Sequence, residues 1–313
     1  MSLGELDFIE ALRSFATHPA ARGLADDAAV LGDLVLTHDT IAEGVHFLVD
    51  DPPASVGWKL VAVNLSDLAA KGAEPLAALM SATISGDGEW EKGFLAGVAA
   101  ACESYGLPLV GGDTIALPID APRVLGLTAI GRAGERVPSR AGGTPGDRLW
   151  LVGTLGDAAT GLAVLQADRH AEGVLVESYR RPVPLLAAGR LLAPHAHAMM
   201  DVSDGLLMDL GRLCAASGCG ARVDLDSLAL TRAFIAERGA GRAARLFAAT
   251  GGDDYALLAA FDPDFDPLSL CLPSGAILGP IGTLTDGDGL ELFDAAGQVP
   301  LPERLGYEHH HRD

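Results

Sequence analysis

The stretch Val61-Ala62-Val63-Asn64-Leu65-Ser66-Asp67-Leu68-Ala69-Ala70 carries isolated polar residues within an otherwise apolar run. It belongs to a predicted helix over residues 56–71. Asn64, Asp67 and Lys71 share one face of this helix, because residues three and four apart are neighbours. That face is either a solvent-exposed stripe or one wall of a site, and the helix alone leaves both interpretations open.

Ser55 is expected to cap this helix at its N-terminus. Segments of strand length and of helix length alternate before and after it in the chain. Strands are predicted over residues 28–31, 34–37, 75–84, 107–110, 124–130, 149–152, 198–202, 221–225 and 255–261. Further helices are predicted over residues 4–16, 90–105, 158–166, 185–192, 206–216 and most of 232–249. A loop over residues 131–147, rich in Gly, Arg and Pro, lies between the two halves. The pattern predicts an α/β (α+β) protein with domains over residues 1–138 and 139–313.

Composition narrows the class of function. The chain has 313 residues, of which 49% are hydrophobic, and a formal net charge of −20. This balance argues against binding to nucleic acid or to an anionic membrane, since both require clustered Lys and Arg. The four cysteines form no C-x-x-C pair, and no apolar run reaches about 18 residues. We therefore expect a cytoplasmic protein with reduced thiols and no membrane association.

Aspartates recur at the ends of the apolar runs. They lie in Ala25-Asp26-Asp27, Thr37-His38-Asp39, Asn64-Leu65-Ser66-Asp67, Gly111-Gly112-Asp113, Asp201-Val202-Ser203-Asp204 and Gly251-Gly252-Asp253-Asp254. Carboxylates that converge on one site repel each other unless a cation neutralises them. Oxygen ligands of this type suit Mg²⁺, which commonly binds together with phosphates. The pattern favours a metal-assisted phosphate enzyme.

Each of these signals alone also has an ordinary structural explanation. A turn, a solvated strand end or a helix N-cap accounts for single aspartates, and Gly111-Gly112 permits either a turn or close approach of a phosphate. His46 and Arg140, taken singly, are more typical of a structural histidine and a solvated loop arginine. The chain has no G-x-x-x-x-G-K-[ST], no D-F-G and no G-x-S-x-G motif. Positioning and charge neutralisation are therefore the expected means of catalysis.

The order and wording of the motifs together are more specific than any one of them. The chain resembles the thiamine-monophosphate kinases, a family related to aminoimidazole ribonucleotide synthetase, over nearly its whole length. The segments that carry the resemblance are Asp26-Asp27-Ala28-Ala29-Val30, Thr37-His38-Asp39-Thr40, Glu43-Gly44-Val45-His46-Phe47, the run from Val61 to Ala70, Gly111-Gly112-Asp113-Thr114, Asp201-Val202-Ser203-Asp204-Gly205-Leu206, Gly251-Gly252-Asp253-Asp254-Tyr255 and Gly306-Tyr307.

The resemblance implies ATP-dependent phosphorylation of thiamine monophosphate to thiamine diphosphate with several Mg²⁺ ions. The Mg²⁺ positions it implies are Asp27, Thr37, His38, Asp39, Asp67, Asp113, Asp201 and Asp204. The ATP positions it implies are Gly112, Asp113, Arg140, Ser203 and Tyr105, and the acceptor positions are His46, Asp253 and Tyr307. It further implies an aminoimidazole ribonucleotide synthetase-like fold of two α/β domains. It also implies a homodimer that forms through a sheet of the N-terminal domains, with the nucleotide between the domains.

Three positions depart from the family pattern: His38 replaces Ser or Thr, Asp253 replaces Glu, and Ile115-Ala116 replaces Thr-Arg. These changes concern acceptor affinity more than ATP chemistry. An acidic wall containing Asp253, with Tyr307 as an aromatic face, is expected to receive the cationic thiazolium of the acceptor. Two alternatives stay open: another ATP-dependent enzyme of the same superfamily, and a non-catalytic nucleotide-binding homologue.

Overall fold

The computed structural model describes residues 4–118, 121–274 and 276–308, which form two β-sheets covered by helices. The N-terminal half contains α1 (Glu5–Arg13), β1 (Ala29–Leu31), β2 (Leu34–Ala42), α2 (Pro53–Ala70), β3 (Glu74–Ile84), α3 (Gly88–Tyr105), β4 (Leu109–Ala116) and β5 (Val124–Arg132). The C-terminal half contains β6 (Arg148–Val152), α4 (Asp157–Ala167), α5 (Val174–Arg180), α6 (Leu186–Leu192), β7 (Ala198–Val202), α7 (Leu206–Ser217), β8 (Gly220–Asp224), α8 (Arg232–Arg238), α9 (Arg242–Thr250), β9 (Ala256–Phe261), β10 (Leu278–Thr285), β11 (Leu290–Asp294) and β12 (Gly297–Val299). The predicted mixed α/β class is confirmed.

The two sheets have different strand orders. In the N-terminal sheet the order is β1-β2-β5-β3-β4, and only the edge pair β3–β4 is parallel among its described pairs. In the C-terminal sheet the order is β12-β11-β8-β10-β6-β9-β7. Helix α2 supplies Val61 and Leu65 to the core beneath the first sheet. Its last turn supplies Ala69 and Ala70 to a core that includes Phe261 of the second sheet. The two halves therefore share this helix.

Helix α2 is buried on nearly every side. It begins at Pro53, and Ser55 lies inside its first turn, where its Oγ donates to Pro52 O at 2.7 Å. The predicted cap at Ser55 was wrong, because Pro at the first helical position already supplies the required backbone angle. The Asn64, Asp67 and Lys71 side chains are buried. Their face is thus a wall between the two halves and not a solvent-exposed stripe.

Glycines bring α2 into backbone contact with its neighbours. A Cβ atom at Gly97 of α3 would lie 2.0 Å from Ala54 O, and one at Gly189 of α6 would lie 2.0 Å from Ala69 O. No Cβ atom can approach a carbonyl oxygen so closely. Helix α2 therefore packs directly on α3 at its beginning and on α6 at its end.

Two strands differ from the predicted ones in ways that affect the site. Strand β2 continues to Ala42, so Thr37 and Asp39 lie inside the strand and point to one face, while the exposed His38 points to the other. The Gly111-Gly112-Asp113 segment was predicted to end a strand, but it lies within β4 and pairs with β3. The reason is close approach: a Cβ atom at Gly112, where φ is +154°, would lie 1.8 Å from Met80 O.

The sequence also missed several elements. Helix α5 and strands β10 to β12 were not predicted, and the helical segment after residue 232 is divided into α8 and α9. No helix in the described ranges combines the length and the apolar character needed to cross a bilayer.

Gly97→Ala is expected to destabilise the protein by about 1–3 kcal/mol, because the new methyl group would force α3 away from α2. Gly211→Ala in α7 is the control, since no described neighbouring atom lies within 4 Å of its new methyl group. That control should be neutral or stabilising by up to about 1 kcal/mol. Urea denaturation measures both, and equal stability of the two variants would contradict the backbone contact.

Candidate active site

Three carboxylates from separate elements converge beside α2. Oxygen atoms of Asp27, Asp67 and Asp201 all lie within 4.8 Å of one another. Asp27 precedes β1, Asp67 lies on α2, and Asp201 lies on β7 of the second sheet. The cluster therefore combines residues from both halves of the chain.

Hydrogen bonds from α2 and β2 orient this cluster. Thr37 Oγ1 donates to the carboxylate of Asp67. Ser66 Oγ donates to Asp201 Oδ2 at 2.7 Å, and Asn64 Oδ1 accepts from the backbone N–H of Asp39 at 2.9 Å. Asp67 and Ser66 of α2 thus bond to β2 of the first sheet and to β7 of the second. The bond from Asn64 to β2 brings Asp39 to the edge of the same cluster.

The cluster carries more negative charge than its buried surroundings favour. Burial raises the pKa of Asp39 to about 6, with further contributions from the carboxylates of Asp27 and Asp204. Burial, followed by the neighbouring carboxylates, also raises the pKa values of Asp67 and Asp201 well above the usual aspartate range. A cation bound between these groups would reverse the shifts, because it stabilises the ionised carboxylates.

One side of the cluster is already neutralised by basic residues. Lys71 Nζ lies 2.5 Å from Asp26 Oδ1 and 2.7 Å from Asp27 Oδ2. Arg22 contacts Asp26 at 2.5 Å, and Arg140 contacts Asp27 Oδ1 at 2.5 Å through Nη2 and at 2.6 Å through Nε. Burial raises the pKa of Asp26, but the pairs with Lys71 and Arg22 prevail and hold it at about 2.

A turn between β7 and α7 places Ser203 and Asp204 next to the cluster. The buried Asp209 accepts from the backbone N–H groups of both residues at 3.0 Å, and Arg212 joins Asp204 to Asp209 at 2.5 and 2.8 Å. Burial, together with the charge of Asp204, raises the pKa of Asp209 to about 7. Tyr307 N donates to Asp204 O at 2.9 Å, so the C-terminal segment also rests on this turn.

A cleft of about 460 Å³ connects the edge of the carboxylate cluster to the predicted acceptor residues. Six of the predicted site residues line it: Asp39, His46, Ser203, Asp204, Asp253 and Tyr307. A volume of this size suits a small organic ligand. The structure thus places predicted metal-side and acceptor-side residues around one cavity, where Asp253 N donates to Ser203 O at 2.8 Å.

The acceptor end contains a buried lysine that the sequence did not reveal. Lys59 of α2 donates to Asp253 Oδ2 and to His46 O, both at 2.9 Å, and lies 4.0 Å from the ring centre of Tyr179. Tyr255 Oη donates to Asp253 Oδ1 at 3.0 Å. Asp253 adopts φ +69°, which turns it toward both donors. The expected acidic wall is therefore a carboxylate already paired with an ammonium group.

The side chains or backbone of four predicted residues do not join the cluster within one chain. Asp113 and Gly112 lie on the exposed edge strand β4, which is separated from β2 by β5 and β3, a distance of about 14 Å at ordinary strand spacing. Tyr105 packs edge-on against Trp58, with ring centres 5.6 Å apart. The ring of His38 bonds Thr128 Oγ1 at 2.9 Å on the outer face of the sheet, so only its backbone can face the cluster.

The residues fit a divalent cation. The side chain of Asp27 is fully buried, and both of its oxygens contact basic groups, Oδ2 contacting Lys71 and Oδ1 contacting Arg140. Asp67 and Asp201 lie close to it, and the donors shown for them among the described residues are only the hydroxyl groups of Thr37 and Ser66. Buried carboxylates whose charge is not balanced by a basic group are the hard oxygen ligands that suit Mg²⁺.

Several residues at the site were missed because their role depends on partners far along the chain. Lys59 and Lys71 are charged residues on an apolar helix, which is a signal of buried ion pairs that could have been read. Ser66 lies next to Asp67 and appeared only as part of the motif. Asp209 and Arg212, on the first turns of α7, carried no signal beyond helical spacing.

Comparisons with known proteins agree over most of the chain. Residues 25–133 match AIR synthase related protein, N-terminal domain, and residues 144–294 match AIR synthase related protein, C-terminal domain. Thiamine-monophosphate kinase of Caulobacter vibrioides is 36% identical over 306 residues, which cover 93% of this chain and 86% of that protein. The solved structure of AaThiL complexed with AMPPCP and TMP has a TM-score of 0.85 and 29% identity, covering 99% of each chain. The crystal structure of thiamine-monophosphate kinase from Stenotrophomonas maltophilia K279a has a TM-score of 0.76 and 37% identity, covering 93% and 97%. The predicted two-domain fold is confirmed.

The raised pKa values make stability depend on pH when no metal is bound. Folded Asp39 and Asp209 hold protons up to about pH 6 and 7, whereas the unfolded groups release them near 3.8. The folded state thus binds more protons across this range, so the free energy of unfolding should fall as pH rises from about 4 to 7. Urea denaturation in a metal chelator measures this fall.

In Asp39→Asn, the fall in the free energy of unfolding between pH 4 and 7 should be smaller by about 2–3 kcal/mol, because the asparagine cannot titrate. Asp26 acts in a separate window, below pH 4, since its pKa is lowered to about 2. Stability that rises with pH between 4 and 7, or identical curves for the two proteins, would contradict the assignment.

Proposed function

The chain belongs to the thiamine-monophosphate kinase family of AIR synthase related proteins, and on this premise we propose how it converts thiamine monophosphate to thiamine diphosphate with ATP. The γ-phosphoryl group passes directly to the acceptor phosphate in an in-line transfer. The observation that carries the proposal is the cleft that joins Asp39 and Asp204 to His46, Asp253 and Tyr307.

The acceptor needs little activation by the protein. A phosphate monoester has a second pKa of about 6, so its attacking oxygen is already ionised at neutral pH. This agrees with a cleft whose lining includes the carboxylates of Asp39, Asp204 and Asp253. The task left to the protein is to hold two anionic groups close together.

The buried carboxylates would hold Mg²⁺ for this purpose. Asp27, Asp67 and Asp201 form the central set, Asp39 and Asp204 extend it toward the cleft, and Thr37 fixes Asp67. When bound, Mg²⁺ offsets the repulsion between the two phosphate groups and stabilises the charge of the transfer. We assign Arg140 and Ser203 to the ATP phosphates, since Arg140 contacts Asp27 of the cluster and Ser203 lines the cleft.

Asp113, Gly112 and Tyr105 are assigned to ATP and metal in a homodimer. Strands β3, β4 and β5 of the N-terminal sheet expose apolar residues, which are Leu76, Leu79, Ile84, Leu109, Val110, Ile115 and Val124. Such a surface is typical of an interface. A second copy on this face would bury it, and its β4 edge could then supply Asp113 to the site of the first copy.

The domain limits are part of the proposal. A boundary between residues 138 and 139 lies in the segment between the two matched family domains, 25–133 and 144–294. The N-terminal domain then supplies the dimer sheet. A cytoplasmic location is supported by the cysteines, since all four are free thiols.

The proposed reaction predicts ADP release that depends on thiamine monophosphate and not on unphosphorylated thiamine. A coupled assay of ADP with both acceptors, in Mg-ATP, measures this. If no ADP is released with either acceptor although calorimetry shows that ATP binds, the result would favour a non-catalytic homologue. Release with a different acceptor in a panel would favour another enzyme of the superfamily.

Asp204→Asn should lower transfer below about 1% of wild type, because it removes a carboxylate from the metal and phosphate end of the cleft. The fold should persist, since Asp204 is partly exposed and Arg212 keeps its pair with Asp209. Glu89→Gln, at an exposed pair with Lys92, is the control and should be fully active. Wild-type turnover in Asp204→Asn would contradict the metal role.

The dimer assignment predicts complementation between two inactive variants. Asp113→Asn and Asp204→Asn should each be inactive alone, but a mixed dimer has one site that carries both changes and one that carries neither. Co-expression should restore about a quarter of wild-type activity. If mixed dimers form, as native mass spectrometry would show, and activity stays absent, Asp113 does not act across the interface.

A further inference from the structure

We propose that Lys71 is a built-in cation of the metal site, which neutralises the Asp26–Asp27 side and directs Mg²⁺ toward Asp39, Asp67 and Asp201, while Asp27 lies between the two cations. This inference rests on the proposed function only in taking the cluster as a Mg²⁺ site. It adds a cation that belongs to the chain itself.

Lys71 is fixed in a buried position, where its ammonium group contacts three protein oxygens. Its side chain is fully buried at the end of α2, and Nζ contacts Asp26 Oδ1 at 2.5 Å and Asp27 Oδ2 at 2.7 Å. Its third contact is with Met199 O, at 3.0 Å. The ammonium group thus touches one of the three carboxylates, Asp27, that would hold the metal.

Charge is divided unevenly across the cluster. Two carboxylates, Asp26 and Asp27, face three basic groups, Arg22, Lys71 and Arg140. On the other side, the partners shown for the carboxylates are uncharged: Thr37 and Ser66 donate to Asp67 and Asp201. A divalent ion gains most where the negative charge is not yet balanced, which is this second side.

Lys71 differs from Arg140, the other basic group on Asp27. Arg140 lies in the segment between the halves and its side chain is 20% exposed, whereas that of Lys71 is 0% exposed. Arg140 can turn to an incoming phosphate, but Lys71 cannot leave without unwinding the end of α2. It therefore remains a fixed charge throughout the reaction.

The proposal is separable from a purely structural ion pair. If Lys71 acts as a cation of the site, its loss leaves negative charge that Mg²⁺ can compensate. If it only supports the fold, its loss lowers stability by an amount that Mg²⁺ does not restore. The comparison of metal-free and Mg²⁺-loaded protein decides between the two.

The test is Lys71→Met, studied by thermal unfolding and by calorimetry with Mg²⁺ alone, without ATP or acceptor. The variant should melt below wild type in chelator, and Mg²⁺ should raise its melting temperature by more than it raises that of wild type. It should also bind Mg²⁺ at least about tenfold more tightly, or bind one more ion. Lys71→Arg keeps the charge and should respond as wild type does, and so should Lys92→Met at the surface.

Asp26→Asn gives a test in the opposite direction that does not require Lys71 to be removed. With one carboxylate fewer, the excess of basic groups over carboxylates on this side grows from one to two, so Mg²⁺ should bind more weakly than in wild type. Unchanged Mg²⁺ affinity in Asp26→Asn, or a Lys71→Met variant whose lost stability Mg²⁺ does not restore, would overturn the proposal. Neither measurement uses thiamine monophosphate, so both test the role of Lys71 independently of the outcome of the kinase assay.

Discussion

The structure depends on one constraint: a helix that carries charged and polar side chains is buried between two sheets. Lys59, Asn64, Asp67 and Lys71 on α2 are all inaccessible to solvent or nearly so. Buried polar groups are costly unless they are partnered, and the required partners lie on both halves of the chain. The same contacts that satisfy the helix therefore fix the distance between the sheets, and the site forms where those contacts meet.

The site holds its charge by two different means. On one side, Arg22, Lys71 and Arg140 balance Asp26 and Asp27, and the pKa of Asp26 is lowered. On the other side, hydroxyl groups and an amide orient carboxylates whose pKa values are raised mainly by burial. The first arrangement is stable without a ligand. In the second arrangement, a bound cation would lower the raised pKa values, because it stabilises the ionised carboxylates.

Local sequence pattern predicted what depends on local periodicity. Helix α2, β7 and the start of α7 lie within a few residues of their predicted limits, because their apolar spacing is regular. Strand β4 was misread, because paired glycines are typical of turns, whereas here they let β4 approach Met80 of β3. The partner of Lys59 lies 194 residues away at Asp253, and no pattern within a helix can reveal such a contact.

The pairing of Asp253 changes how the acceptor is recognised. Both of its oxygens are already bonded, one by Lys59 and one by Tyr255, and its backbone is held at φ +69°. An ammonium group 2.9 Å away cancels most of the attraction that this carboxylate would exert on a thiazolium cation. Its fixed geometry instead shapes the cleft that Asp39 and Asp204 also line. Under the proposed reaction, the acceptor would then be selected by its fit to the cleft and by contact with Tyr307, and its phosphate would lie beside the carboxylates proposed to hold Mg²⁺. Charge would thus direct the reacting group, and shape would select the rest of the molecule.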